Sequence, residues 1–230
     1  MKISVNCQIC SESCLVSIYD KRIVPFECTN KHDNTIIIQS HLSEMLFDRA
    51  CLFYIQSDYR ESIFNFYASL EKFREMFIKY ALLKSNNTND EIKQFWSHVS
   101  SQSERQYGAY CVMRLLEKQE PLDKSITQKV SEVRNQVIHN GKIPNKEEAY
   151  QFGHWVFELI KNDYSYLSYN KTFLSIVADE LLSASEVKGA TVTILFPGFQ
   201  LINRVGQSFE SMLNHIEEQT LNSKSWYCNK

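Results

Sequence analysis

Glycine and proline are scarce in this chain, six and four in 230 residues. Their wide spacing leaves room for long helices and argues against a turn-rich β protein. No apolar run approaches the roughly 18 residues of a membrane helix, so no span is expected. The N-terminus, Met-Lys-Ile-Ser-Val-Asn-Cys, lacks the apolar stretch of a secretory signal. An excess of either charge is missing too, with 25 Lys and Arg against 27 Asp and Glu and a pI near 6.3. That balance excludes a globally basic nucleic-acid binder, and no DNA specificity is expected. Seven cysteines, an odd number without an export signal, read as reduced cytoplasmic thiols, some of them used for metal.

Those cysteines are concentrated at one end. In residues 1–40, Cys7-x2-Cys10 is followed by Cys28-x3-His32, among short β-type runs at Cys14–Ile18, Arg22–Phe26 and Thr35–Gln39. A Cys-x2-Cys turn aims two thiolates at one point, and a second knuckle completes a tetrahedron around zinc. The segment resembles a zinc ribbon whose last ligand is His32. Cys14 is an alternative ligand, and Asp33 competes for the fourth position. Four protein ligands would make a closed, structural site holding one zinc ion. So short a segment has little core, and the metal would supply much of its folding free energy.

Residues 41–169 read as helices. The first runs from His41 to Ser57, and Asp58 caps a second that reaches about Lys84. In the second, Ile63, Phe66, Tyr67, Leu70, Phe73, Phe77, Tyr80 and Ala81 form a wide stripe whose period fits core packing better than base stacking. Glu71 lies off that stripe and reads as a solvated acid, with a place beside the motif arginine as the alternative. Thr88 and Glu91 form a capping box for a third helix towards Glu117, with a bend or local opening expected near Ser100-Ser101-Gln102-Ser103. A fifth helix runs from Lys146 to about Tyr166, with Asn145 and Glu148 as its capping box. His154 within it reads as a packed or exposed helical residue rather than a catalyst.

The fourth helix carries the motif. Ile126, Val130, Val133 and Val137 repeat at helical spacing and define one apolar stripe. At about 100° per residue, Asn135 and His139 fall about 40° apart and nearly opposite it, with Arg134 on the flank. Asn140-Gly141 then stops the helix, which leaves His139 in a last turn where the dipole favours a cation. From Lys124 to Lys146 there are five basic residues against one acid, Glu132, a local patch that suits a phosphate-bearing ligand.

Arg134-Asn135-x3-His139, then Asn140-Gly141-x-Ile143-Pro144 and Glu147-Glu148-Ala149-Tyr150, resembles the Arg-x4-6-His motif of HEPN-domain ribonucleases. Asp58–Ser62 and Ser69–Phe73 resemble the paired helices that open that domain. The resemblance covers roughly Leu42 to Leu167. It implies an antiparallel HEPN-like bundle over residues 41–169, so the fold expected is mainly α. The zinc-ribbon-like segment precedes the bundle and, read from its own residues, a mixed helix/strand extension over residues 170–230 follows it. In the extension, Lys171–Ser185 and Gln200–Leu221 read as helices and Thr191–Phe196 as a strand.

The resemblance further implies endoribonuclease activity without a catalytic metal. His139 would move protons and Arg134 would hold the phosphate, while Asn135, one turn before His139, would orient the imidazole or hydrogen-bond the phosphate. It implies a homodimer, RNA (transfer RNA among it) as substrate, and a place in prokaryotic defence or toxin systems beside an inhibitor or sensor protein. The competing expectation is a non-catalytic module of the same fold that binds RNA, a nucleotide or a protein partner. In that case Arg134 pairs with Glu132 or Glu148, and His139 only caps a helix.

Overall fold

A computed structural model describes residues 2–18, 23–38, 41–168, 191–195 and 207–221. The described residues form five strands and seven helices, and the fold is mainly α, as expected. The strands lie at the N-terminal end, apart from one contributed by the extension. β1 (Lys2–Asn6) and β2 (Ser13–Ser17) make an antiparallel hairpin, with Val5 opposite Cys14. β3 (Ile23–Glu27) and β4 (Asp33–Ile38) make a second, with Val24 opposite Ile36. β5 (Thr191–Leu195) pairs parallel with the other edge of β4, so β4 is a central strand. That position explains why every residue from Asn34 to Ile38 is buried rather than every second one. β1, absent from the sequence-based reading, forms because its partner strand supplies the ladder.

The bundle is built around α2 (Tyr59–Lys84). Asp58 caps it through a bond from the Glu61 N–H, and its 26 residues contain no Gly or Pro to interrupt it. Ile63, Phe66, Leu70, Phe73, Phe77 and Tyr80 are almost completely buried along it, so the aromatic stripe is core. α1 (Leu42–Ile55) lies close to α2, and two small hydroxyls stitch the pair: Ser62 Oγ donates to Ala50 O at 2.9 Å and Ser69 Oγ to Ser43 O at 2.7 Å. Met45 of α1 also enters the small core of Val5, Val16, Val24, Ile36 and Ile38, joining ribbon to bundle.

The expected third helix is two helices. α3 (Asn89–Val99) ends at Ser100, and α4 (Ser103–Lys118) starts after Gln102, whose φ of −139° and ψ of 126° are extended. Of the bend or local opening expected at the polar run, the structure has a full interruption, because its residues have no apolar face to keep the axis on the core. α5 (Lys124–Ile138) carries the motif and α6 (Lys146–Ser168) follows, capped by the reciprocal Asn145–Glu148 bonds at 2.9 and 3.0 Å. α7 (Phe209–Leu221) closes the described chain. Its Phe209 sits among Phe47, Phe66, Tyr150 and Phe157 with ring centroids 5.2–6.2 Å away. Gly153 of α6 makes room for it, since a Cβ there would lie 2.6 Å from the Phe209 ring. The expected helix over Lys171–Ser185 lies outside the described residues, and so do Gln200–Gly206 of the last one.

Among the described residues no helix is long and apolar enough to cross a membrane.

Candidate functional site

Val130 and Val137 of α5 are buried and Ile126 and Val133 partly so, which fixes how the helix is rolled on the bundle. The opposite face is exposed and presents Asn135 and His139, with Arg134 half-buried between that face and α2. His139 is the C-cap residue, its N–H bonded to Asn135 O at 3.0 Å. Gly141, at φ +71°, then turns the chain in a conformation that favours glycine, and the Lys142 N–H reaches back to Gln136 O.

Arg134, Asn135 and His139 come together through one nitrogen. Nη1 of Arg134 donates to Asn135 Oδ1 at 2.9 Å and contacts His139 Nε2 at 2.7 Å. A guanidinium has no acceptor, so Nε2 is the accepting atom of this contact. Asn135 therefore orients the guanidinium directly and the imidazole only through it. Arg134 forms no ion pair with Glu132 or Glu148. Glu132 accepts from Gln128, and Glu148 binds Lys142 Nζ at 2.6 Å.

Two α2 side chains complete the setting. The Arg134 guanidinium lies over the Tyr67 ring, 4.9 Å from its centroid, and its Nε is buried without a hydrogen-bond partner. Glu71 is half-buried beside Arg134 and Tyr67, which is the alternative the sequence offered for it and not the solvated acid. Burial raises the Glu71 carboxyl above its ordinary value, and the Arg134 and Arg74 charges pull it partly back. Burial and the Glu71 charge likewise raise the Tyr67 hydroxyl, against the pull of the same two arginines. Tyr67 appears in the sequence as one more member of the core stripe. Its role as the shelf under Arg134 depends on where α5 lands, which no local pattern carries. The guanidinium is thus held by a ring, an amide, the imidazole and a nearby carboxyl group, with Nη2 taking no partner among the described residues.

The second constellation is the cysteine cluster. Ligand atoms of Cys7, Cys10, Cys28 and His32 all lie within 4.8 Å of one another, and together they could hold a metal ion. Tetrahedral zinc needs edges of about 3.8 Å between sulfurs and about 3.5 Å between sulfur and nitrogen. Cys10 Sγ and Cys28 Sγ are 3.9 Å apart, and His32 Nδ1 is 3.4 Å from Cys28 Sγ and 3.8 Å from Cys7 Sγ. The donor set fits. Cys14 stands outside it, its thiol turned to Glu12 O, and Asp33 opens β4 instead of joining the cluster.

Donors converge on these sulfurs, and sequence reasoning did not anticipate them. Asn34 Nδ2 and the Ile9 N–H point to Cys7 Sγ at 3.3 and 3.4 Å, and Asn30 Nδ2 to Cys10 Sγ at 3.3 Å. Burial opposes ionisation of Cys7, but the bonds from Cys10, Ile9 and Asn34 outweigh it and bring the thiol down to about 6. The Asn30 amide lowers Cys10 as well, whereas burial raises Cys28. At Cys7 and Cys10 the arrangement favours thiolate, the form that binds metal.

A third group serves the scaffold. Asp163 of α6 is buried and takes Arg114 Nε at 2.9 Å, Lys118 Nζ at 2.8 Å and the Tyr110 hydroxyl, tying α4 to α6.

No family model matches the chain, and no curated protein or solved structure matches it either.

Proposed function

We propose that this chain is a metal-independent endoribonuclease that works as a homodimer. The observation that carries the reading is the 2.7 Å contact between Arg134 Nη1 and His139 Nε2 on an exposed helix face. RNA brings its own nucleophile, so a site needs only a proton acceptor, a cation for the phosphate and a proton donor for the leaving oxygen. Imidazole exchanges protons near neutral pH, and guanidinium offers a fixed fork matched to phosphate.

In the proposed reaction the phosphate displaces His139 from Arg134. The freed Nε2 takes the proton of the 2′-hydroxyl as that oxygen bonds to phosphorus. The bond from phosphorus to the 5′-oxygen breaks, and an imidazolium returns a proton to the departing oxygen. The products are a 2′,3′-cyclic phosphate and a 5′-hydroxyl. One imidazole per protomer is sparse equipment, and a two-fold mate facing the motif would double it. Transfer RNA is a candidate substrate, and a prokaryotic defence or toxin role beside an inhibitor or sensor protein fits an enzyme that must be held in check.

Zinc in the Cys7, Cys10, Cys28, His32 cluster would be structural, since four protein ligands leave no open position. It takes no step in the reaction.

Total RNA incubated with EDTA and wild type, Arg134→Ala or His139→Ala protein tests the reading by end-group analysis of the fragments. Cyclic-phosphate ends from the wild type alone are expected. Equal cleavage by wild type and His139→Ala removes the assignment, and RNA binding without any cleavage selects a non-catalytic module.

A further inference from the structure

Phe64 breaks the rule of its helix. The inward phenylalanines of α2 are fully buried, yet Phe64 is 50% exposed. A solitary exposed apolar residue is ordinary. Its position is what matters here. Phe64 lies three residues before Tyr67, close enough along a helix for the two side chains to be surface neighbours, and Tyr67 is the ring beneath Arg134.

The direction of the helices places it further. Arg134 of α5 meets Tyr67 of α2, whereas Thr127, seven residues earlier in α5, adjoins Tyr107, whose ring lies 4.8 Å from the guanidinium of Arg74, seven residues later in α2. The two helices therefore run antiparallel. Moving from Tyr67 back to Phe64, about 4.5 Å along the axis, leads the same way as moving from Arg134 on to His139. Helical side chains tilt towards the N-terminus, which carries the Phe64 ring further towards the His139 end.

We infer that Phe64 is a stacking platform for a nucleobase beside the scissile phosphate, so that the site takes single-stranded RNA with an unpaired nucleotide. The inference rests on the ribonuclease reading. A phosphate on Arg134 and His139 puts its own nucleotide over this part of α2. Phenylalanine offers a π face and no hydrogen-bond donor, so it accepts any base. A base held in a duplex cannot reach an isolated ring, whereas a looped-out base can. The surroundings favour a base over a second protein. Phe64 is bordered by charged Arg60 and Glu61, while Val112, Leu115 and Leu116 on α4 form a contiguous exposed apolar stripe better suited to protein contact.

The test compares kcat/KM on a single-stranded RNA that the wild type cleaves, in full-length protein. Phe64→Ala should lose roughly 5- to 150-fold, the range of one base–aromatic stack. Phe64→Tyr and Phe64→Trp should stay near wild type, and Phe64→Leu should fall with Ala because it keeps bulk but no ring. An abasic nucleotide beside the cleaved bond should abolish the difference between wild type and Phe64→Ala. With 2-aminopurine at that position, binding to His139→Ala protein should quench its fluorescence, and adding Phe64→Ala should remove the quench. Phe64→Leu as active as wild type overturns the proposal while the ribonuclease reading stands. A loss that tracks dissociation in light scattering overturns it in favour of a protein contact. No cleavage of any RNA by the wild type removes both readings together.

Discussion

Arg134 Nη1 and His139 Nε2, five residues apart in sequence, are held 2.7 Å apart where α5 ends. The same nitrogen also serves Asn135, and the guanidinium plane rests on Tyr67. A lysine would keep the charge but lose both the fork and the planar stack. Arg134→Lys should therefore cut RNA cleavage by about 100-fold or more, the scale of one lost oxyanion donor. Its melting temperature should fall only slightly, because lysine keeps the charge and the aliphatic stem and gives up mainly the stack on Tyr67. Full activity in the lysine variant would reduce Arg134 to a generic cation.

Glu71 makes stability depend on pH in a particular direction. Burial raises its carboxyl, so the folded chain binds that proton more tightly than the unfolded one does. Its favourable contribution is present below the ordinary carboxylate range and is lost as pH rises through the raised value. Glu71→Gln, neutral throughout, should match wild type near about pH 4 and gain on it towards about pH 7. Denaturant midpoints across that range measure the gap. A gap that widens towards acid would show that the carboxylate is net stabilised by its arginines.

The cysteine cluster makes a discriminating pair of variants. Cys28→Ser removes a ligand from a set whose edges fit zinc, and it should purify without metal and melt earlier. Cys14→Ser touches only the bond to Glu12 and should retain one zinc per chain by elemental analysis. Metal lost equally from both would place Cys14 in the site.

Asp163 neutralises Arg114 and Lys118 where all three side chains are less than a tenth exposed. Asp163→Ala leaves two buried cations unpaired, and loss of one member of a buried pair costs about 3–5 kcal/mol. Chemical denaturation should show a loss of that size. A loss under about 1 kcal/mol would mean water reaches the pair.

Gly153→Ala sets two effects against each other. Alanine gains about 1 kcal/mol of helix propensity over glycine. Its Cβ would stand 2.6 Å from the Phe209 ring and 2.7 Å from the Phe66 ring, both buried in the core. Overpacking of that kind costs about 1–3 kcal/mol, so the clash should win. Phe209 is the easier ring to displace, because its helix packs mainly on α1 and α6, whereas Phe66 lies on α2, the helix most of the bundle packs against. Faster proteolysis in α7 than in wild type is the expected sign.

How much of this was legible beforehand varies with the range of the interaction. Period and caps are local, so α2 with its Asp58 cap, the Asn145–Glu148 box and the stripe of α5 appear in the sequence nearly as they stand in the fold. The knuckles Cys7-x2-Cys10 and Cys28-x3-His32 were equally plain, because two ligands on one turn constrain each other. The α3–α4 break was legible only as a bend or local opening, since composition shows where a helix weakens but not how far the bundle draws its halves apart.

The amino-acid sequence by itself determined which residues are apolar, how they repeat, and that Arg134, Asn135 and His139 share one end of a helix. Only the tertiary structure decided what they meet there: Tyr67 and Glu71 from a helix more than sixty residues earlier in the chain. It also decided that β5 returns to the edge of β4 and that Cys14 stays out of the metal cluster. The physical reason is the same in each case. Periodicity records which face of an element is buried, whereas the identity of the neighbour on the other face depends on how separate elements pack, and no short-range pattern encodes that.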